Sequence, residues 1–500
     1  MTVNPKISSA IGKRRRHLFL ALCFIFSFFF TVWSAPNLQH SITQPDDFYI
    51  LALGKLFYLG QMPVRDTFSI FGPAFSLIYG YALSLSDSPI MIVLVGALGY
   101  ALSLTLLALI LSRQKASITL ILTMLLLAIS LLPLVRMFRW FQWLLPLLMA
   151  LEIQAYGAAP GHKRYWNFLL TLTVFAASLL RLDLGAVLLV GAMAGMGSIA
   201  RKHGASGLRA LRPLVCNLGL SWATWLYALW LSHADISRYL RLLFSSVFIQ
   251  AQANHWPLLA FGPGPLVYLG ALGLFYLTCL AIHLRAERGH DPMLLTSALM
   301  GLLMLPSALY QANFNHVLFV ISPALLCAAT LMAKLPTPGG KANRAAYIAL
   351  VLCFASLAWL ARDATFCVGP LAWNPTEKLR QFASPPEPGS MLAQRVAAIQ
   401  VAVPPQAGYF VLTTGFVQAP EVFYANRRVA NLDVAISPRL QPSQYQLDCQ
   451  LNAIRKNHPQ VMMVSQEALK PSGLFDSLFG HQGYQQRLYA DKNYVIIKRD

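Results

Sequence analysis

Four carboxylates share one stretch of the chain, residues 35–88, and they are the strongest candidates for chemistry. Asp46 and Asp47 stand side by side after Pro45, Asp66 follows Arg65, and Asp87 lies near the end. Adjacent carboxylates at a membrane surface are costly to bring together unless a base or a metal lies near. Such a carboxylate can serve as general base on a hydroxyl. The plainer reading is an Asx-type turn after Pro45 that starts a helix, because aspartate is favoured at helix N-termini. The bases that can face an anion are few. Arg136 and Arg139 sit among aromatics in VRMFRWFQW, Arg181 and Asp183 lie two apart at a boundary between apolar runs, and His316 precedes another such run. Each has a structural alternative: interfacial anchoring of helix ends for the first two, a mutually neutralising salt bridge for the second pair, a helix cap for the histidine. Arg65 and Asp66 pair with each other or meet a ligand.

The elements that position these groups are set by composition. The 500 residues are 56% hydrophobic and 12% charged, against roughly 25% charged in soluble domains, and mean hydropathy is +0.54. A soluble enzyme, a disordered chain and a collagen-like fibre are excluded. The net charge of +20 does not imply nucleic-acid binding, because the bases lie between hydrophobic runs rather than in one patch. The fold class is a polytopic α-helical membrane protein, lodged among membrane lipids.

About 20 apolar residues cross a bilayer, and eleven runs qualify: 18–34, 89–111, 116–133, 141–156, 166–182, 184–200, 213–231, 265–284, 292–309, 316–333 and 345–361. With the tail 1–17 inside, eighteen Lys and Arg fall in inner segments and seven in short outer loops, as the positive-inside bias requires. An odd span count then places the C-terminus outside, so the expectation is a plasma (inner) membrane protein with a cytoplasmic N-terminus and a periplasmic C-terminus. The first run also imitates a signal peptide ending at Ser34-Ala35; an uncleaved anchor is the reading taken. Within the first outer loop, Phe48–Tyr58 reads as an amphipathic helix lying along the interface. The membrane module covers 18–361.

A Pro-rich linker, 362–388, leads into 389–500, where β-like runs at 409–414, 429–434 and 461–465 alternate with helical patterns near 391–402, 416–425 and 441–457. A hairpin turning at Asp491-Lys492-Asn493 closes the chain. Strands alternating with helices predict a small exoplasmic α/β domain. Five cysteines lie in spans; Cys367 and Cys449 lie in the outer region, where they either bridge or stay free.

Several motifs together resemble the first outer loop of the C-fold (GT-C) membrane glycosyltransferases, the group of the protein mannosyltransferases and the bacterial lipid A aminoarabinose transferases. They are Asp46-Asp47, then Gly60-Gln61-x-Pro63-x-Arg65-Asp66-x-Phe68 and Phe71-Gly72-Pro73. Arg181-Leu182-Asp183-Leu184-Gly185 is similar to a further element of that group, as is Asn315-His316 ahead of Ser322-Pro323. One departure stands out: Gln311-Ala312-Asn313 occupies the place of an Arg-x-Asp. The resemblance implies a sugar transferred from a polyprenyl-phosphate donor to a glycan, lipid or protein acceptor in the envelope, with inversion. It implies Asp46 as general base with Asp47 as its neighbour; a departing phosphate then needs fixed positive charge, and the outer-face bases able to supply it are Arg136, Arg139, Arg181 and His316. Arg65, Asp66 and Asp183 would lie in the substrate loops. The sequence names no cofactor, and the acid pair leaves a divalent metal open.

Two other classes compete. A transporter or flippase usually carries charge at mid-bilayer, whereas the one acid well inside an expected span is Glu152, near its cytoplasmic end. A non-catalytic scaffold predicts tolerance at Asp46. Gly262-Pro263-Gly264-Pro265 reads as a rigid turn, and Arg238 with Arg241 as a solvated cap or a second interfacial helix. No zinc-ligand spacing, phosphate-binding glycine loop, dinucleotide motif or Gly-x-Ser-x-Gly elbow occurs.

Overall fold

A computed structural model describes residues 5–35, 45–67, 72–132, 136–242, 262–285, 291–309, 314–334, 384–412, 419–430, 455–466, 484–492 and 494–499, with single positions at 348, 352, 356, 380 and 452. The described chain is mostly helical and divides into two compact units. One comprises Met1–Pro36, Val93–Ser221 and Trp256–Trp373; the other comprises Asn37–Ile92, Trp222–His255 and Asn374–Asp500.

The helices in chain order are α1 (Pro5–Ser34), α2 (Pro45–Tyr58), α3 (Ala74–Leu85), α4 (Ile90–Arg113), α5 (Ile118–Leu131), α6 (Phe141–Ala158), α7 (Lys163–Leu180), α8 (Leu182–Lys202), α9 (Gly207–Leu231), α10 (Gly264–Arg285), α11 (Pro292–Leu309), α12 (Phe314–Phe319), α13 (Ser322–Lys334), α14 (Met391–Ala402) and α15 (Ala419–Ala425). Among the described residues six are long and apolar enough to cross a membrane: α1 from Arg14, α4, α8, α9, α10 and α11. The protein is a multi-pass membrane protein. Helices stand at ten of the eleven expected positions, but several are short. The expected span 116–133 is a helix of 14 residues capped by the Ser117 hydroxyl, which accepts from the Leu120 N–H at 3.2 Å. The expected span 316–333 is broken between Phe319 and Ser322. Pro323 lacks an N–H and therefore suits the first turn of a new helix rather than the interior of a continuous one. Of the last expected span only Ile348, Leu352 and Ser356 are described.

In the first unit the break is held by side chains from its neighbours. The Trp143 indole donates to the Leu318 carbonyl (3.2 Å), the Ser322 hydroxyl to Gln142 (3.0 Å) and the Tyr276 hydroxyl to Val320 (3.0 Å). Carbonyls freed from helical bonding are thereby satisfied inside the bundle, the condition under which irregular backbone is tolerated at such depth.

The second unit joins α2 and α3 to the C-terminal elements. Five strands, β1 (Gly408–Leu412), β2 (Arg428–Val429), β3 (Val461–Ser465), β4 (Tyr484–Ala490) and β5 (Tyr494–Arg499), form one sheet in the order β2-β1-β3-β5-β4. β1 pairs in parallel with β2 and β3; β3–β5 and β5–β4 are antiparallel. β3 is buried along its length and pairs on both sides, so the apolar run VMMVS needs no wet face. The β4–β5 turn is closed by Asp491, whose carboxylate accepts the Tyr494 N–H at 2.9 Å. The strand expected over 429–434 is described only at Arg428–Val429; most of 441–457, Asn493, Cys353, Cys367 and Cys449 lie outside the described residues.

The amphipathic reading of Phe48–Tyr58, with one face left open, needs correction. Every residue of α2 from Asp47 to Leu56 is buried, Lys55 included. α2 packs against α3 so closely that a Cβ on Gly54 would lie 2.6 Å from the Tyr79 Cβ. Phe48 meets Phe423 and Tyr424 of α15 at 6.2 and 5.9 Å. The helix is a core element of its unit, covered on sides that sequence left open.

Candidate functional site

Three segments of the first unit converge on one cluster of charge. The 136–140 segment is a 3-10 turn, Met137–Trp140, laid on α4. A Cβ on Gly99 would lie 2.6 Å from the Trp140 ring, and the Tyr100 hydroxyl donates to the Arg136 carbonyl at 2.8 Å. Arg139 is buried, its guanidinium 4.5 Å from the Phe138 ring centroid, a cation–π arrangement that favours a desolvated arginine. The second segment is the α7–α8 link, a single extended residue, Arg181, between two helices. Gly185 permits that tight reversal: an added Cβ would fall 2.0 Å from the Ser178 Oγ and 2.7 Å from its Cα. Arg181 grips the Asp183 carboxylate with Nε (2.9 Å) and Nη2, and Asp183 sits in the first turn of α8, where negative charge suits the helix dipole. The third segment is α12, held beside the start of α6 by the Trp143–Leu318 bond. It brings His316 within electrostatic reach of Arg139, Arg136 and Arg181, and Arg139 also acts on Asp183.

Sequence reasoning proposed these five residues separately, and the structure gathers them. Three guanidiniums against one carboxylate leave an excess of positive charge, and a histidine adds a hydrogen-bonding ring. Arg181 and Asp183 do form the salt bridge expected as the structural alternative.

The remaining candidates belong to the second unit. Asp46 and Asp47 occupy the first turn of α2. Asp47 is buried; the side chain of Asp46 lies outside the described residues. Arg65 and Asp66 pair with each other (2.9 and 2.7 Å), and Asp66 also accepts the Met62 N–H at 2.8 Å. Asp66 thus shapes the 62–66 turn. Among the described residues no group of three or more His, Cys, Asp or Glu is placed to hold a metal ion.

Other contacts were not legible in the sequence, although Asp87 and Gln61 were singled out there. The Lys55 ammonium, buried in α2, reaches both oxygens of Asp87 at 2.7 and 2.6 Å, and lies 5.0 Å from the Tyr58 ring and 5.7 Å from that of Phe423. A lone lysine inside an apolar helical run was the available signal. Gln61, the glutamine of the GQ-x-P motif, bonds the Val429 backbone twice, donating to its carbonyl at 2.8 Å and accepting from its N–H at 2.9 Å. It completes the free edge of β2. Inside the same unit Arg395 bridges Glu421 (2.7 Å) and Asp491 (2.6 Å) with its guanidinium 4.4 Å from the Tyr494 ring. No sequence pattern marked that triad.

No family model matches the sequence, and no curated protein matches it. Among solved structures the chain resembles the crystal structure of ArnT from Cupriavidus metallidurans bound to undecaprenyl phosphate, at a TM-score of 0.53 and 13% identity, over 96% of this chain and 97% of that one. At that identity the likeness speaks for the fold, and it runs nearly end to end. The chain therefore has a C-fold, GT-C-like architecture.

Proposed function

We propose that the protein transfers a glycosyl group from a polyprenyl-phosphate donor to a hydroxyl-bearing glycan, lipid or protein acceptor at the outer face of the plasma membrane. The observation that carries this reading is the clustering of Arg136, Arg139, Arg181 and His316 in a chain whose fold matches ArnT, a protein crystallised with undecaprenyl phosphate. Fixed cations in a low-dielectric setting suit a departing phosphate. Asp46 takes the acceptor proton as its oxygen attacks the anomeric carbon. The carbon–oxygen bond to the lipid phosphate breaks with its electron pair on phosphate, and a single displacement from the opposite side inverts the centre. Lipid phosphate leaves readily, so a second carboxylate acting as acid, as in glycosidases, is not needed. Buried Asp47 and the Lys55–Asp87 pair position the start and flank of α2. Arg65, Asp66 and Asp183 shape the substrate loops. The topology that goes with this reading has eleven spans, a cytoplasmic N-terminus and a periplasmic α/β region at 389–500.

The test is mass spectrometry of envelope glycans and glycolipids from a deletion strain complemented with wild type, Asp46→Asn or Asp47→Asn at matched membrane levels. A sugar lost on deletion, restored by wild type and absent with Asp46→Asn supports the reading. Restoration by Asp46→Asn removes Asp46 as the base, and an unchanged envelope on deletion sinks glycosyl transfer itself.

A further inference from the structure

Two arginines outside the reaction groups named above flank one rigid turn of the second unit. The chain from Leu59 to Thr67 is closed by the bonds Gln61 N–H to Leu56 (2.9 Å), Asp66 N–H to Met62 (2.9 Å) and Val64 N–H to Thr67 (2.8 Å). Val64 holds φ at +74°, a left-handed conformation that β-branched residues rarely adopt and that persists where neighbours over-determine it. Arg428 donates from Nε to the Leu59 carbonyl at 3.1 Å, and Arg238 donates from Nη2 to the Arg65 carbonyl at 3.1 Å. One N–H of each is therefore spent on the turn, and the fork of the others remains for a ligand. The nearby carboxylates are committed: Asp66 to Arg65 and the Met62 N–H, Asp235 to the Arg238 backbone N–H at 2.8 Å. Among the described residues no carboxylate pairs with the guanidinium of Arg238 or Arg428, so within them the turn has two guanidiniums and no acid set against either. Exposed apolar side chains lie on the same segments, Tyr58 and Met62 beside the turn and Leu240 two residues past Arg238.

We propose that Arg238 and Arg428 grip the phosphate of an anionic phospholipid headgroup from the bilayer in which the chain sits, with Tyr58, Met62 and Leu240 meeting the acyl boundary. Charge complementarity selects the anionic headgroup, and the apolar neighbours select a lipid surface over a free anion, the combination by which interfacial segments bind membranes. The assignment stands whether or not glycosyl transfer does, since neither arginine belongs to the proposed base or donor cluster.

Full-length protein in nanodiscs of equimolar phosphatidylcholine and phosphatidylglycerol, released for native mass spectrometry, gives the lipid preference directly. Wild type should retain phosphatidylglycerol, and R238Q/R428Q should lower that preference about thirty-fold at low salt. R238K/R428K should keep most of it, and high salt should weaken it in wild type. Equal phosphatidylglycerol preference in wild type and R238Q/R428Q overturns the proposal. So does loss in the Lys pair as well, with a lowered melting temperature, because the arginines then only brace the turn. Full displacement of the lipid by millimolar inorganic phosphate also overturns it, assigning the site to free anions.

Discussion

Replacing Arg395 by methionine should damage the second unit more than any surface change. Arg395 is buried, Glu421 is 2% exposed, and the two are 2.7 Å apart with Asp491 2.6 Å from the other side of the guanidinium. Burial holds the Glu421 carboxyl above its usual range, and Arg395 is the group that pulls it back down. One oxygen of Glu421 already makes no hydrogen bond among the described residues, so methionine leaves a buried acid with little to satisfy it. Removing one partner of such a pair costs about 3–5 kcal/mol. At about 2–4 °C per kcal/mol for a unit of this size, the expected fall in melting temperature is about 6–20 °C. The pH dependence follows from the same shift. A carboxyl whose folded pKa is raised binds its proton more tightly when folded, so its contribution is present below the unfolded pKa and is lost as pH rises through the folded one. R395M should therefore lose stability more steeply than wild type from acid toward neutral pH. R395M/E421Q should flatten that slope and recover part of the loss. Thermal unfolding of the full-length protein in detergent, scanned from pH 4 to 8, provides the comparison. A melting temperature for R395M within 2 °C of wild type, or a slope unchanged by E421Q, refutes the reasoning.

Gly185→Ala places a Cβ against Ser178 and should cost about 1–3 kcal/mol as overpacking, with a fall in melting temperature that S178G relieves in part; no relief means the α7–α8 reversal is not limited there. Gln61→Leu removes both bonds to Val429 and strands a buried N–H and carbonyl, for about 1–3 kcal/mol. Limited proteolysis of the second unit should accelerate, and unchanged protection counts against the strand-edge role. Arg139→Gln, on the proposed function, should weaken undecaprenyl-phosphate binding about 10- to 100-fold, since a hydrogen bond to a charged group is worth about 1.5–3 kcal/mol. Native mass spectrometry of the lipid complex reads this, and wild-type affinity in the variant removes Arg139 from the donor site.

Sequence by itself determined what depends on local pattern. Hydropathy set a multi-pass membrane protein, and the helix over 391–402 and the strand over 461–465 stand where periodicity put them, because apolar runs and short repeats are written into neighbouring residues. It also singled out Arg136, Arg139, Arg181, Asp183 and His316 by charge beside apolar runs, though each had a structural alternative: an anchor for the first two, a salt bridge for the next pair, a cap for the histidine. Tertiary structure alone decided that those five share one place, because nothing in a linear pattern relates a 3-10 turn, a helix reversal and a six-residue helix. The same holds for Gln61 and Val429, 368 residues apart, and for Arg395 between Glu421 and Asp491. α2 shows the limit most plainly. Its sequence allowed a half-wet interfacial helix, and only the packing of α3 and α15 around it buried Asp47 and Lys55. Which face of an apolar helix meets water, lipid or protein is fixed by its neighbours, and their identity is not a local property of the chain.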